Sequence, residues 1–164
     1  MPRSKKPKKA YRQKGVIRDP IAFVIRGMKP ADPDAQLRSK INLHAAMANL
    51  TQGRGTQADW QEVANGLNVG LALAEMGYGK EFVPDLVKAQ GAMALLRDRG
   101  KATGRFVFRA EEMQAVNTGL DLHDQQIELA PIKSFELAIR AVERALAQGN
   151  FVTVEPSPAT SSAP

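Results

Sequence analysis

Residues Ala110–Leu129 have the sequence AEEMQAVNTGLDLHDQQIEL, in which apolar side chains recur at the spacing of a helix. One stripe, at offsets of 3, 7 and 14 residues, consists of Met113, Val116, Leu120 and Ile127. Leu122 and Leu129 point roughly the other way. A helix with two apolar stripes is packed on both sides. The pattern therefore predicts the central helix of a small helical domain.

The composition excludes several classes of protein. The chain has 164 residues, enough for one domain with a core, and it has no cysteine. Disulfides, thiolate metal sites and cysteine nucleophiles are thus excluded, as expected in a reducing compartment. No stretch approaches the roughly 18 apolar residues of a membrane helix, and no signal core follows the basic N-terminus. We expect a cytoplasmic protein that does not bind membranes.

The positive charge is concentrated at the N-terminus. Residues 1–29 hold ten Lys and Arg and one Asp, a net charge of +9, whereas residues 30–164 hold thirteen Lys and Arg and sixteen Asp and Glu, a net charge of −3. The sequence pI of about 9.8 is therefore a property of the N-terminal arm. Such an asymmetry is typical of proteins that bind polyanions.

The chain divides into four parts by composition. We predict a basic disordered arm (residues 1–15), an apolar extended segment (16–30), a helical bundle domain (31–150) and a disordered Pro- and Ser-rich tail (151–164). The second part is too apolar for a free linker, and Pro20 and Gly27 exclude a long helix. We expect it to lie along a groove of the bundle; the alternative is docking on a partner.

Capping signals and apolar spacing predict five helices. The first begins at Asp32, Pro33 and Asp34, and its predicted inward face comprises Leu37, Ile41, the level of His44 and Ala45, and Ala48. The second spans about residues 56–76 and starts with Thr56 and Asp59. The third spans about 81–97, the fourth 110–129 and the fifth 132–147. Gly66 and Gly70 inside the second helix predict that a neighbouring helix crosses closely.

A shift of 53 residues places the second and third helices on the fourth and fifth. It pairs Val63 with Val116, Gly66 with Gly119 and Leu67 with Leu120. The five predicted helices indicate an all-α fold, a bundle of about five helices. The match at a shift of 53 residues raises the hypothesis that this bundle contains two duplicated hairpins. The alternative is a coincidence between two amphipathic hairpins of equal length.

The residues expected to contact nucleic acid lie in the arm and in a basic loop predicted at residues 97–105. The basic side chains would bind phosphates, and one tyrosine would stack on a base. The set comprises Arg3, Lys5, Lys6, Lys8, Lys9, Tyr11, Arg12, Lys14, Arg99, Lys101 and Arg105. The alternative is a solvated tail and a solvated loop, whose Phe106 and Phe108 belong to the core.

No catalytic, metal or cofactor site is predicted. His123 lies near Asp121, Asp124 and Glu128, but only Asp124 and Glu128 share a helix face. We expect His123 to be partly buried and hydrogen-bonded within the bundle, with His44 in a similar position on the first helix. The segment 100–103, GKAT, lacks the first glycine of a phosphate-binding loop. The protein is therefore not expected to be an enzyme.

Two segments, residues 14–20 (KGVIRDP) running to Lys29 and Pro30, and residues 120–124 (LDLHD) running to Ala130, resemble a group of small helical bacterial and prophage-type proteins. The resemblance covers most of residues 10–149, carries over no activity or binding residue, and implies an accessory protein of a phage or mobile element. We predict a non-enzymatic protein that binds DNA or RNA through phosphates. The alternative is a protein-binding module or inhibitor. A homodimer is a further hypothesis.

Overall fold

The computed structural model describes residues 34–149, which form five helices that run alternately up and down. They are α1 (Ala35–Thr51), α2 (Gln57–Glu75), α3 (Val83–Thr103, preceded by a 3₁₀ turn at Lys80–Phe82), α4 (Ala110–Leu129) and α5 (Ile132–Ala147). This described part contains no strand. The predicted all-α bundle of five helices is therefore confirmed. None of these helices is long and apolar enough to cross a membrane.

The ends of the helices follow from local chemistry. At the start of α2 the Thr56 side chain accepts the Asp59 N–H, and the Asp59 carboxylate accepts the Thr56 N–H, at 3.2 and 2.8 Å. These two bonds form a capping box at the predicted start of the helix and satisfy two free helix donors. Gly77 and Gly79, in the turn after α2, have φ of 104° and 81°. The predicted start of α1 at Asp32 and Pro33 lies outside the described residues.

The central helix is α2, not α4 as predicted. α2 packs against each of the other four helices, whereas α4 packs mainly on α3 and α2 and touches α1 more lightly. The prediction rested on two apolar stripes in α4, and residues of both are buried, including Val116, Leu120 and Leu122. Met113 and Leu129, however, are 36% and 74% exposed, so neither stripe is covered along its whole length.

Glycines allow the helices to approach α2 and α4 closely. A Cβ atom added at Gly66 would lie 2.6 Å from Leu43 of α1, and one added at Gly70 would lie 3.2 Å from Leu86 of α3. The predicted close crossing at these two glycines is thus confirmed. Gly119 of α4 has the same role, because an added Cβ would lie 2.7 Å from Ala89 of α3.

The predicted inward face of α1 is wrong. Leu37 and Ile41 are 59% and 58% exposed, and His44, Ala45 and Ala48 are exposed as well. The buried side chains are instead Leu43, Ala46, Met47 and Leu50. Both sets have helical spacing and both are apolar, so periodicity alone does not distinguish them. The choice is made by packing, since Leu43 fits against Gly66 of α2.

The predicted loop at residues 97–105 is also largely wrong, because α3 continues to Thr103. Gly100 does not break the helix. It is buried, and the ring of Phe106 lies where its Cβ would be, at 2.5 Å from Cε1. The helix ends at Gly104, which has φ of 71°. Phe106 and Phe108 are not in a strand; both pack against the core, as the alternative interpretation of the loop expected.

The hypothesis of two duplicated hairpins fits the structure only in part. Shifted by 53 residues, α2 falls on residues 110–128, and α4 spans Ala110–Leu129. α2 and α3 do pack as a hairpin. α5, which follows α4 after Pro131, packs on α2 instead, and Phe135 and Ala138 join Val69 and Leu73 in one cluster. The second pair is therefore not packed like the first.

Gly119→Ala is expected to destabilise the protein, although alanine is the better helix former. The added methyl group would overlap Ala89, whose Cβ is fixed to the backbone, and overpacking of this kind costs about 1–3 kcal/mol. Gly91→Ala is the matched control, since nothing lies within 4 Å of the Cβ position in the same bundle. It should stabilise the protein by about 0.5–1 kcal/mol. Urea unfolding measures both, and a stabilising Gly119→Ala would contradict the close contact.

Candidate functional site

The residues predicted to bind nucleic acid fall into two groups in the structure. The eight in the arm, from Arg3 to Lys14, lie outside the described residues. The other three, Arg99, Lys101 and Arg105, lie at or just after the C-terminal end of α3. Their surroundings differ, so each is considered separately.

Arg99 is partly buried and is held against the bundle by an acidic partner. Its guanidinium makes a two-pronged ion pair with Glu112 of α4, and its Nε donates to the carbonyl of Val107 at 3.1 Å. The Glu112 side chain is only 8% exposed, so this carboxylate depends on Arg99 for its charge balance. Arg99 therefore connects α3 to α4, and a phosphate would have to compete with a buried carboxylate for it.

Lys101 and Arg105 are exposed and form the accessible part of the predicted patch. Arg109, at the start of α4, is exposed beside them, and its backbone N–H donates to Glu112 at 2.9 Å. Arg54, after the end of α1, is exposed at the same end of the bundle. We call this set of four residues the basic end. Sequence reasoning omitted Arg54, which is distant in the sequence and reaches this end because α1 and α3 run in the same direction.

The start of α1, to which the N-terminal part of the chain is connected, lies at the opposite end of the bundle. Gln36, in the first turn of α1, donates to the carbonyls of Ile127 and Ala130 at the end of α4, at 3.4 and 3.3 Å. The basic end lies at the start of α4. A helix of 20 residues is about 30 Å long, so the two regions are separated by about that distance. The patch is therefore not beside the start of the bundle.

A polar cluster links α1 to α4 next to that junction. His44 lies 2.8 Å from the carboxylate of Asp124, and Lys40 lies 3.2 Å from Glu128 and 3.9 Å from Asp124. The two α1 residues and the two α4 residues each have the four-residue spacing of one helix face. The prediction that Asp124 and Glu128 share a face is confirmed, and the spacing of Lys40 and His44 is the signal that could have predicted their partners.

The cluster holds the Asp124 carboxylate in its charged form. Burial raises the pKa of this group, but the neighbouring His123 and His44 side chains and the Lys40 ammonium outweigh burial and lower the pKa below its ordinary value of 3.8. The charged carboxylate therefore stabilises the contact between α1 and α4.

His123 differs from the prediction. It is fully buried rather than partly buried, and neither ring nitrogen has a hydrogen-bond partner among the described residues. Its Nδ1 lies 3.8 Å from Asp124, beyond hydrogen-bonding distance. Because position 123 faces α2, where Gly70 leaves room, the ring occupies the core. Residues 34–149 contain no group of three acidic or histidine side chains arranged to hold a metal ion.

A groove of about 270 Å³ lies between α3 and α5, with α2 as its floor. Its apolar lining includes Trp60, Leu71, Met93, Val142 and Leu146, and several alanines widen it. The Trp60 indole N–H donates to the carbonyl of Met93 at 2.8 Å, which fixes the ring at one end. The groove exists because α3 and α5 both pack on α2, whereas any contact between α3 and α5 is slight.

Comparison of the chain with protein-family models, with curated proteins and with solved structures gave no match. The resemblance to prophage-type proteins therefore stays a prediction.

Asp124→Asn is expected to reduce the loss of folding stability that the protein shows at acidic pH. Because the pKa of Asp124 is lower in the folded than in the unfolded chain, its contribution to stability is present above the ordinary value of 3.8 and is lost as the pH falls towards the folded pKa. The variant should be less stable than the wild type at pH 7, and the difference should shrink below about pH 4. Urea unfolding at pH 7 and at acidic pH measures this, with Asp121→Asn, at an exposed position of α4, as the control.

Proposed function

We propose that the protein is a non-enzymatic nucleic-acid-binding accessory protein of a phage or mobile element. It binds the phosphates of DNA or RNA without sequence preference, chiefly through the N-terminal arm. The observation that supports this proposal is the separation of charge, since the first 29 residues carry a net charge of +9. Lysine and arginine side chains neutralise phosphates and release the counterions condensed on them, which drives binding.

The helical body supports the arm with a local rather than a general positive charge. Residues 34–149 hold thirteen Lys and Arg and fourteen Asp and Glu, so the body as a whole would not attract a polyanion. At the basic end, however, Lys101, Arg105 and Arg109 are exposed within nine residues of the chain. This end provides a second point of contact for a nucleic acid already bound by the arm.

The distance between the two regions suits a duplex. The chain from residue 15 to residue 34 spans up to about 65 Å when extended, more than the length of the bundle. The arm can therefore reach a duplex that also contacts the basic end. One turn of B-DNA is about 34 Å long, so both contacts fit within one or two turns. Such contacts position the nucleic acid and do not depend on its sequence.

The second candidate function is a protein-binding module or inhibitor that uses the helical surface. Two features of the described residues favour it: the apolar groove between α3 and α5, and the exposed apolar residues Leu37 and Ile41 on α1. Apolar grooves between helices commonly receive a helix of a partner. In this case the basic arm would only steer the partner or increase solubility.

Removal of residues 1–14 is expected to abolish binding to duplex DNA, single-stranded DNA and RNA. The arm holds seven of the basic residues, and the dependence of affinity on salt weakens with every phosphate that the protein no longer binds. We expect the affinity of the full chain to fall on the order of 1,000-fold between 50 and 200 mM salt, if each of the seven basic residues of the arm binds one phosphate. Fluorescence anisotropy with labelled oligonucleotides measures both quantities. Binding that does not depend on salt or on the arm would contradict the proposal.

The double variant Lys101→Glu, Arg105→Glu is expected to weaken nucleic-acid binding about tenfold. It should lower stability by no more than about 1 kcal/mol, because both side chains are exposed and only Lys101 lies in the last turn of α3, where the helix dipole favours a positive charge. The matched control is Lys80→Glu, Lys133→Glu, which makes a comparable change of charge at two exposed positions of the opposite end. Equal losses of affinity in the two double variants would show that only net charge matters and that the basic end has no part in binding.

A further inference from the structure

The outer face of α1 carries apolar side chains beside His44, and the two large ones are not covered by any part of the chain that the structure describes. Leu37 and Ile41, one turn apart, are 59% and 58% exposed, and Ala45 and Ala48 continue the same face towards the end of the helix. The opposite face, with Leu43, Met47 and Leu50, fills the core. α1 packs on α2 and lightly on α4, so this outer face lies at the edge of the bundle.

The apolar residues 16–28 lie immediately before this face in the chain. Their sequence, VIRDPIAFVIRGM, is separated from the first described residue, Asp34, by only five residues, two of which are prolines. α1 has 17 residues and a length of about 25 Å, which about eight extended residues can follow. The segment is therefore long enough to run along the whole helix and close enough to turn back onto it.

We propose that residues 16–28 dock on the outer face of α1 and run antiparallel to it. In an extended chain alternate side chains point the same way, so Ile21, Phe23 and Ile25 form one row, which follows this face from Ile41 towards the end of α1. Pro20 and Pro30 suit this arrangement, because neither residue supplies a backbone donor that would have to be paired.

A segment of the same chain fits this face better than a second copy of the protein. The exposed patch contains two large apolar side chains, whereas a stable dimer interface buries about 800 Å² on each partner. A small patch binds weakly between separate molecules. A tethered segment, however, is present at a local concentration in the millimolar range, so that even a weak interaction is occupied.

Docking would place the arm next to the basic end, a step that rests on the proposed function. A segment that starts at residue 28 near the beginning of α1 and runs antiparallel to it reaches the end of α1 at about residue 20, and residues 16–19 extend beyond that end. Arg54 lies there, at the same end of the bundle as Lys101 and Arg105. Residues 1–14 then continue from that end, and the two separated basic regions form one binding surface. The apolar segment thus determines where the arm acts.

Limited proteolysis with trypsin tests the docking without any nucleic acid. The bond after Arg26 lies inside the docked segment, and the bond after Arg12 lies in the arm and serves as an internal reference. We expect the bond after Arg26 to be cut at least about tenfold more slowly than the bond after Arg12, because cleavage follows the population of the open form. Equal rates at the two bonds in the full wild-type chain would overturn the proposal.

Ile41→Asp should raise the rate of cleavage after Arg26 about tenfold and leave the rate after Arg12 unchanged, since a charge on the face opposes docking. Asn42→Asp, at the adjacent exposed position, is the matched control and should have no effect. Phe23→Ala changes no residue of the bundle and should act like Ile41→Asp. Circular dichroism checks that α-helix content is retained. If neither Ile41→Asp nor Phe23→Ala accelerates cleavage, the outer face of α1 is not the docking site.

Protein concentration distinguishes the occupants of the face. Protection after Arg26 that does not change with dilution supports docking within one chain, whereas protection that disappears on dilution would assign the face to a second copy and overturn the proposal. The outcome is also independent of the proposed function. Protection without any oligonucleotide binding would support the docking and contradict the proposed function, and binding without protection would do the reverse.

Discussion

The distance between α2 and its neighbours is the constraint on which the rest of the bundle depends. Leu43 of α1 approaches α2 at Gly66, Leu86 of α3 approaches it at Gly70, and Leu67 of α2 in turn approaches α4 at Gly119. Because the glycines carry no side chain at these points, the facing leucine side chains fit directly against the helix backbone, and the helix axes come closer than larger residues would allow. The buried Gln126 of α4 adds a polar constraint, since it donates to the carbonyls of Gly70 and Tyr78 at 3.0 and 2.8 Å. Helices α1, α3 and α4 thus have fixed positions around one axis.

The ionisable side chains are divided between structure and surface by their depth. Arg99 is joined to the buried Glu112, and Asp124 of α4 lies against His44 and Lys40 of α1, so these ionisable side chains hold helices together. The exposed cations of the basic end have no such acidic partner among the described residues. A charged group that is already paired inside the protein gains little from a further ligand, whereas an exposed cation keeps its full attraction for a phosphate. Depth, more than residue type, therefore separates the candidate binding residues from the structural ones.

The sequence predicted the helices well where the signal was local, and poorly where packing made the choice. The start of α2 is determined by Thr56 and Asp59, and the boundary between α4 and α5 is determined by Pro131. Both boundaries are where they were expected, because they depend on local backbone chemistry. The prediction of the inward face of α1 was wrong because Leu37 and Ile41 form as regular an apolar stripe as Leu43 and Leu50. The prediction of where α3 ends was wrong because Gly100 packs against the Phe106 ring. This is a tertiary contact that no local sequence pattern shows. The role of Arg99 depends on Glu112, thirteen residues later, and was not predicted for the same reason.

The place of Trp60 has a consequence for how this protein can be observed. It is the only tryptophan of the chain, and it lies at the end of the groove between α3 and α5 with its N–H bound to Met93. Tryptophan emission responds to the polarity and mobility around the indole ring, and no second indole contributes to the signal. The protein therefore carries an intrinsic fluorophore at one defined position. A molecule or helix that enters the groove would change the emission spectrum without the need for any label.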